Sequence, residues 1–236
     1  MAEKFFDQKP DFKDLVVTVL MKDFIHEKEY KEAYCLAKEE LKDKDKNRFS
    51  REFIYCGLQR FLNRWSCRRS DEVMENIKVT LDKHFEDIKI LRGRNYESIT
   101  EKEKDKLKLL FSDLVTKHTK GVGLTVASKV LNVLLPDLIV MIDDDIKKEF
   151  EKWYKTKSEK QIEDEICFEF QEEMWKWAKD IKKEHWDKLK EVLREAGVEY
   201  WNELKLIDAY NWLRITQRIN FERIKEIIKN YFCTLE

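Results

Sequence analysis

Glycine and proline are scarce in this sequence, whose 236 residues include only 5 Gly and 2 Pro. Short β-strands need frequent turns, and turns rely on these two residues, so their scarcity argues against an all-β fold. Hydrophobic side chains make up 42% of the chain and charged side chains 40%, a balance typical of amphipathic helices with solvated outer faces. We therefore expect an all-α protein. The abundance of Lys and Glu also resembles the composition of thermophile proteins.

Other features are missing as well. No apolar run approaches the roughly 20 residues of a membrane span, and the N-terminus lacks the layout of a signal peptide. The histidines are isolated, without metal-ligand spacing. The cysteines are odd in number and lack CxxC spacing, so we expect free thiols; they are Cys35, Cys56, Cys67, Cys167 and Cys233. The sequence predicts a soluble, cytoplasmic protein with no membrane partner, no metal site and no cofactor.

The charge is unevenly distributed, although the net charge of the chain is only -1. Residues 102–136 hold seven Lys against three acidic residues, whereas residues 137–173 hold thirteen acidic residues against six Lys. A basic segment on a neutral protein is compatible with contact to a phosphate backbone at one edge. An ordinary solvated helix face is the alternative.

Apolar residues recur at helical spacing through most of the chain. Ser50 and Ser70 can each cap a helix, and two pairs, Thr100 with Glu103 and Ser158 with Gln161, have the spacing of a capping box. The chain shows no repeat and no flexible linker. Together these patterns predict helices near residues 12–24, 27–44, 50–67, 71–90, 101–117, 124–135, 144–156, 160–195 and 200–230.

The segment Gly121-Val122-Gly123 separates two of these helices. Glycine permits a tight turn and lets a ligand approach the backbone, and the helix that follows offers unpaired N–H groups and the positive end of its dipole. These features predict a phosphate-binding site, to which the neighbouring Lys120 and His118 can add contacts. The alternative is a glycine that ends a helix for conformational reasons alone.

The predicted helix 124–135 is amphipathic. Its apolar stripe suits packing into a helical hairpin, and we expect its polar stripe to face solvent, a cleft or a partner. The apolar stripe is Ala127, Val130, Leu131 and Leu134, and the polar stripe is Thr125, Ser128, Lys129 and Asn132.

An apolar passage, residues 136–142, leads from this helix to Asp143-Asp144-Asp145 and the next predicted helix. Acidic residues are favourable at a helix N-terminus, and the simplest role for Asp143 is that of an N-cap.

Taken together, residues 104–150 resemble the helix-hairpin-helix DNA glycosylase superfamily, which includes endonuclease III and the adenine-mismatch glycosylase. The resemblance lies in Gly121-Val122-Gly123, in Ala127, and in Ile142-Asp143 with Ile146, and Asp143 lies 22 residues after Gly121.

The resemblance implies two helical subdomains around a cleft, which we expect at residues 1–22 plus 143–236 and at residues 23–142. The second would end in the hairpin, residues 104–135, and would grip double-stranded DNA. Asp143 would lie in the cleft as the catalytic carboxylate, and an enzyme of this kind flips the target nucleotide out of the duplex. The implied biological role is DNA repair.

The sequence also departs from the family pattern. Thr125 stands where bifunctional members carry the lysine that attacks the sugar, so we expect water as the nucleophile and no lyase activity. Lys129 could reach the cleft instead, or lie on a solvated face or at a phosphate. Only Cys167 and Cys233 lie in the C-terminal half, so we expect no iron-sulfur cluster. Two other functions remain open: a non-catalytic DNA-binding module and a helical interaction protein.

One further surface could bind phosphate. Arg60, Arg64 and Arg68 recur every four residues, and Arg92 and Arg94 could extend their stripe. Solvated surface arginines are the alternative.

Overall fold

The computed structural model describes residues 6, 9–22, 27–43, 45–65, 67–115, 121–154 and 163–229. Within these ranges the chain forms twelve α-helices and two short π-helical segments, and no strand. The prediction of an all-α fold is therefore confirmed. None of the described helices is long and apolar enough to span a membrane.

The helices follow one another with short connections. In chain order they are α1 (Phe12–Leu20), α2 (Glu27–Lys42), a first π segment (Glu52–Leu58), α3 (Gln59–Arg64), α4 (Asp71–Lys83), α5 (Phe85–Arg92), α6 (Glu101–Val115), α7 (Leu124–Leu134), α8 (Asp144–Tyr154), α9 (Glu163–Glu184), α10 (Trp186–Glu195), α11 (Glu203–Asn211), a second π segment (Trp212–Thr216) and α12 (Phe221–Ile227).

The chain divides into two compact units. One unit joins Met1–Ile25 to Asp143–Glu236 and contains α1 and α8 to α12, and the other is His26–Ile142 and contains α2 to α7.

In the unit His26–Ile142, α2 packs against the first π segment, α3 and α7, and α6 packs against α7. Gly57 allows the π segment to approach α2 closely, because a Cβ placed there would lie 3.0 Å from Leu36 Cδ1. The largest fully buried side chains of this unit are aromatic and apolar, among them Phe49, Phe53, Phe61 and Phe85. Burial of these side chains supplies the main driving force for folding of the unit.

The other unit is built around α11, every residue of which is buried. Helices α1 and α9 pack against α11. Two charged residues buried in α11 are paired, since Lys205 Nζ lies 3.2 Å from Asp208 Oδ2. In the same unit, Lys225 Nζ lies 2.7 Å from Asp14 Oδ1. Pairing of this kind is what makes charged side chains tolerable in a core.

The local helix signals are largely confirmed. Ser50 Oγ accepts a hydrogen bond from the amide of Phe53, and Ser70 Oγ accepts one from the amide of Val73. Thr100 and Glu103 form the reciprocal bonds of a capping box. The predicted pair Ser158 and Gln161 lies outside the described residues.

Three of the predicted long helices are interrupted. The helix expected over 71–90 breaks at His84, and the one expected over 160–195 breaks at His185. The helix expected over 200–230 ends after the second π segment, where Arg218 adopts a φ of 54° before α12 begins. Gly and Pro are the residues that most often mark the end of a helix, and none of these breaks contains either. The apolar periodicity also continues across the breaks, so the sequence did not reveal them.

Candidate nucleic-acid interface

The turn before α7 begins at Gly121, which has a φ of +85°. L-amino acids rarely adopt this conformation. A Cβ at this position would also lie 3.0 Å from a methyl group of Val73. Both the backbone and the packing therefore require glycine at position 121. The contact places the turn beside the first turn of α4.

Gly123 has a different character. It is the N-cap of α7, with φ -89° and ψ 177°, a conformation open to any residue. No described atom lies within 4 Å of a Cβ placed on it. Neither conformation nor packing within the described structure therefore requires glycine here, and no described atom fills the space above the start of α7 that a side chain would occupy.

The N-terminus of α7 is electrostatically uncompensated within the described structure. Gly123 supplies no side-chain cap, and the first turn of the helix holds no acidic residue. Helices of this length carry partial positive charge at this end, where the first amides lack partners inside the helix. An anion at this point would supply the negative charge that neither a capping side chain nor the first turn of α7 provides.

The opposite end of α7 is compensated by Arg92. Its Nη1 atom donates hydrogen bonds to the carbonyl oxygens of Val133, at 3.4 Å, and of Leu134. The guanidinium also lies 5.0 Å from the ring centroid of Tyr34, and burial lowers the pKa of Arg92. A cation at the C-terminus of a helix interacts favourably with the negative end of the helix dipole. Among the described residues, Arg92 thus compensates this end of α7, whereas no capping side chain or first-turn acid compensates the other.

These contacts correct the proposed extension of the arginine stripe. Arg92 is occupied by α7, and the Nε atom of Arg94 donates to Glu103 at 2.7 Å. Arg60, Arg64 and Arg68 are exposed, with Arg64 lying 3.9 Å from Glu29 in a contact of little energetic weight.

The polar stripe of α7 does not face solvent, contrary to expectation, because Ser128, Lys129 and Asn132 are all buried. Ser128 Oγ donates to the carbonyl oxygen of Ile142 and accepts from its amide. Asn132 Nδ2 donates to the carbonyl oxygen of Ile139. These side chains hold the passage from α7 to Asp143.

Lys129 has only 5% of its surface exposed. Its Nζ atom donates to the carbonyl oxygen of Trp65 and to Cys67 Sγ, each at 3.2 Å. Reaching a substrate would require these contacts to break and the side chain to leave the interior. Lys129 is therefore poorly placed to act as a catalytic residue, and the expectation of a solvated face is wrong as well.

Asp143 caps α8. Its Oδ1 atom accepts hydrogen bonds from the amides of Asp145 and Ile146, at 3.0 and 2.8 Å. Its Oδ2 atom accepts from the hydroxyl of Thr216. A carboxylate has about four acceptor positions, and the described residues use three of them. The Asp143 side chain is half-buried. Thr216 lies 73 residues away, and nothing in the sequence indicated that it would donate a hydrogen bond to Asp143.

The remaining predicted contacts are less informative. Val122 is buried, with 5% of its surface exposed, so its side chain packs inside the protein instead of meeting a ligand at the surface. Thr125 lies half-buried in the first turn of α7. His118 and Lys120 lie outside the described residues, as does Cys233.

Comparison with models of protein families, with curated proteins and with solved structures finds no match to this chain. The basis for assigning a function is therefore the geometry of the turn at residues 121–123 and of the N-termini of α7 and α8.

Proposed function

We propose that this protein binds the sugar-phosphate backbone of duplex DNA through the turn 121–125. The observation that carries the proposal is Gly123, which provides no side-chain cap for α7 and has no described atom in the space that a side chain would fill. A phosphate oxygen there accepts hydrogen bonds from backbone amides and interacts favourably with the helix dipole. Contacts of this type are independent of base sequence.

The glycine at the N-terminus of α7 favours a phosphate ligand over a cap formed by the side chain of residue 123 itself. Ser, Asp and Asn are the usual N-caps, and each would fill the position with its own oxygen. Glycine leaves that acceptor to be supplied by another group, which we propose to be a phosphate oxygen. The resemblance of residues 104–150 to the helix-hairpin-helix superfamily supports DNA as the source of the phosphate.

Two variants of Gly123 test the proposal. Asp and Asn are both good N-caps of nearly equal size, so Gly123→Asp and Gly123→Asn should fold as well as the natural protein. Only Asp adds negative charge where the phosphate would lie. We expect Gly123→Asp to weaken binding to a random-sequence duplex by at least about tenfold, and more than Gly123→Asn does. Fluorescence anisotropy at several salt concentrations measures both affinity and salt dependence.

Equal DNA affinity of the Asp and Asn variants would show that the phosphate does not lie at this N-terminus. If the natural protein fails to bind DNA even at low salt, a helical interaction protein becomes the better assignment.

We further propose that Asp143 serves base excision with water as the nucleophile. The N-cap geometry and Thr216 fix the orientation of its carboxylate, and a fixed carboxylate can stabilise positive charge on a sugar ring or orient water. Thr125, in place of a nucleophilic lysine, favours hydrolysis over a covalent route.

Asp143→Asn tests the catalytic step because Asn preserves the N-cap while removing the charge. On a panel of duplexes with damaged or mispaired bases, we expect base release to fall by about 100-fold or more, with DNA affinity retained. A natural protein that binds every duplex and releases no base would instead be a non-catalytic binding module.

A further inference from the structure

Cys67 and Lys129 form a buried pair inside the unit His26–Ile142. Sγ and Nζ are 3.2 Å apart, and the two residues have 7% and 5% of their surface exposed. No disulfide engages the thiol. The connection joins the segment after α3 to the middle of α7, and it has no part in the proposed DNA contact.

The surroundings of Lys129 contain few groups that balance its charge. Its polar partners are Cys67 and the carbonyl oxygen of Trp65, and its Nζ lies 5.4 Å from the centroid of the Trp65 ring. No carboxylate in the described part of the chain forms an ion pair with it. An amine buried without a carboxylate partner is costly, which makes its contact with sulfur a chemically distinctive feature of this interior.

We propose that Cys67 and Lys129 are a modification site at which a peroxide converts the contact into a covalent sulfur-nitrogen bond. In the first step the thiolate attacks one peroxide oxygen. The S–O bond forms, the O–O bond breaks, and the departing hydroxide takes a proton from the Lys129 ammonium to leave as water. The products are a sulfenic acid at Cys67 and a neutral amine at Lys129.

In the second step the Lys129 nitrogen attacks the sulfur. The N–S bond forms, the S–OH bond breaks, and hydroxide leaves with a proton from nitrogen as a second water. One peroxide is reduced to two waters while the sulfur-nitrogen pair is oxidised by two electrons. Sulfenic acids condense with a neighbouring nitrogen in this way, and the contact between the two atoms already brings them together.

Because the link joins two elements distant in sequence, it restricts the unfolded chain and holds α7 against the end of α3. A thiol reductant reverses the reaction by attacking the sulfur. The exposed thiols Cys35 and Cys56 have no such lysine contact in the described structure and serve as internal controls.

Peptide mapping by mass spectrometry after treatment with hydrogen peroxide tests the proposal on the full chain. The expected product joins the peptides containing Cys67 and Lys129, is about 2 Da lighter than their sum, and separates again with dithiothreitol. A variant with the other four cysteines replaced by Ser removes competing disulfides and should give the same product with a higher melting temperature.

Lys129→Met and Lys129→Arg each remove the nucleophilic amine, and in them Cys67 should proceed to acids carrying added oxygen. Circular dichroism confirms that each variant folds, and the link in the natural chain can be identified even if neither does. Oxidation of Cys67 in the natural chain to sulfinic or sulfonic acid without a link to Lys129 would overturn the proposal. So would a peroxide-treated chain in which Cys67 remains a thiol while Cys35 and Cys56 are oxidised.

Discussion

The hydroxyl of Ser128 contacts both backbone polar groups of Ile142, accepting from its amide at 2.9 Å and lying 3.1 Å from its carbonyl oxygen. Its single O–H is shared between that carbonyl oxygen and the carbonyl oxygen of Thr125, also at 3.1 Å. Because Ser128 and Ile142 are buried, the pair holds the end of the passage 136–142 against α7.

Ser128→Ala should therefore destabilise the protein by about 1–3 kcal/mol, because it leaves a buried N–H and a buried C=O without their side-chain partner. Ser98→Ala is a suitable control, since the Ser98 hydroxyl also bonds to backbone, at Asn95, but in an exposed turn. Urea unfolding followed by tryptophan fluorescence measures both. An equally small effect of the two substitutions would contradict the role assigned to Ser128.

Gly121→Ala tests the strain at the turn. The positive φ alone should cost about 1 kcal/mol, and the contact with Val73 should add to that cost. Gly197→Ala separates the two effects, because Gly197 has a φ of +69° and a Cβ added there would meet no described atom within 4 Å. We expect Gly121→Ala to be more destabilising than Gly197→Ala. Adding Val73→Ala to the Gly121→Ala variant should recover the difference in unfolding free energy between the two. Urea unfolding of the three variants measures the costs, and failure to recover the difference would assign the whole cost to the backbone.

Arg92→Met should destabilise the protein by about 1–3 kcal/mol, because two carbonyl oxygens at the end of α7 lose their cationic donor. Arg51→Met is the matched control. Arg51 also lies over a tyrosine ring, 5.4 Å from the centroid of Tyr55, but it is exposed and its loss should change stability by less than about 0.5 kcal/mol. Similar losses in unfolding free energy would mean that the ring contact, rather than the helix end, determines the effect.

Glu103 predicts a dependence on pH. The amide of Thr100, then Arg94 and the Thr100 hydroxyl, lower the pKa of Glu103 from its ordinary value of 4.5 to about 2. A lowered pKa stabilises the folded state above the unfolded value, and that contribution is lost as pH falls from about 4.5 toward about 2.

Glu103→Gln should consequently reduce stability more near pH 6 than near pH 3. Urea unfolding at the two pH values measures the difference. Arg94→Gln removes one of the causes and should shrink the pH-dependent part. A destabilisation that is the same at both pH values would show that charge is not responsible.

Local features of the fold could be predicted because their causes are local. The Thr100 and Glu103 capping box depends on residues three apart, and it is present as expected. The break at His84 could not be predicted, since neither its residue type nor the surrounding periodicity stops a helix. At the break, His84 Nε2 lies 2.7 Å from Asp113 Oδ2, a contact between residues 29 apart in sequence that local patterns do not reveal.

The same limit applied to the candidate site. The glycines of the turn are visible in the sequence, but the difference between Gly121 and Gly123 depends on Val73 and on open space. The polar residues of α7 predicted an outer face because amphipathicity arguments treat polarity as exposure. Ser128 and Asn132 are instead satisfied by carbonyl groups that tertiary packing brings to them.

The open N-terminus of α7 also has a thermodynamic consequence. A ligand that binds only the folded state stabilises it by mass action, by about 2.7 kcal/mol at a concentration 100 times its dissociation constant. An anion that occupies the space above Gly123 should therefore raise the melting temperature, and Gly123→Asp, which weakens its binding, should reduce that rise. The melting temperatures of the natural protein and of Gly123→Asp, each with and without the anion, thus measure whether this helix end is occupied.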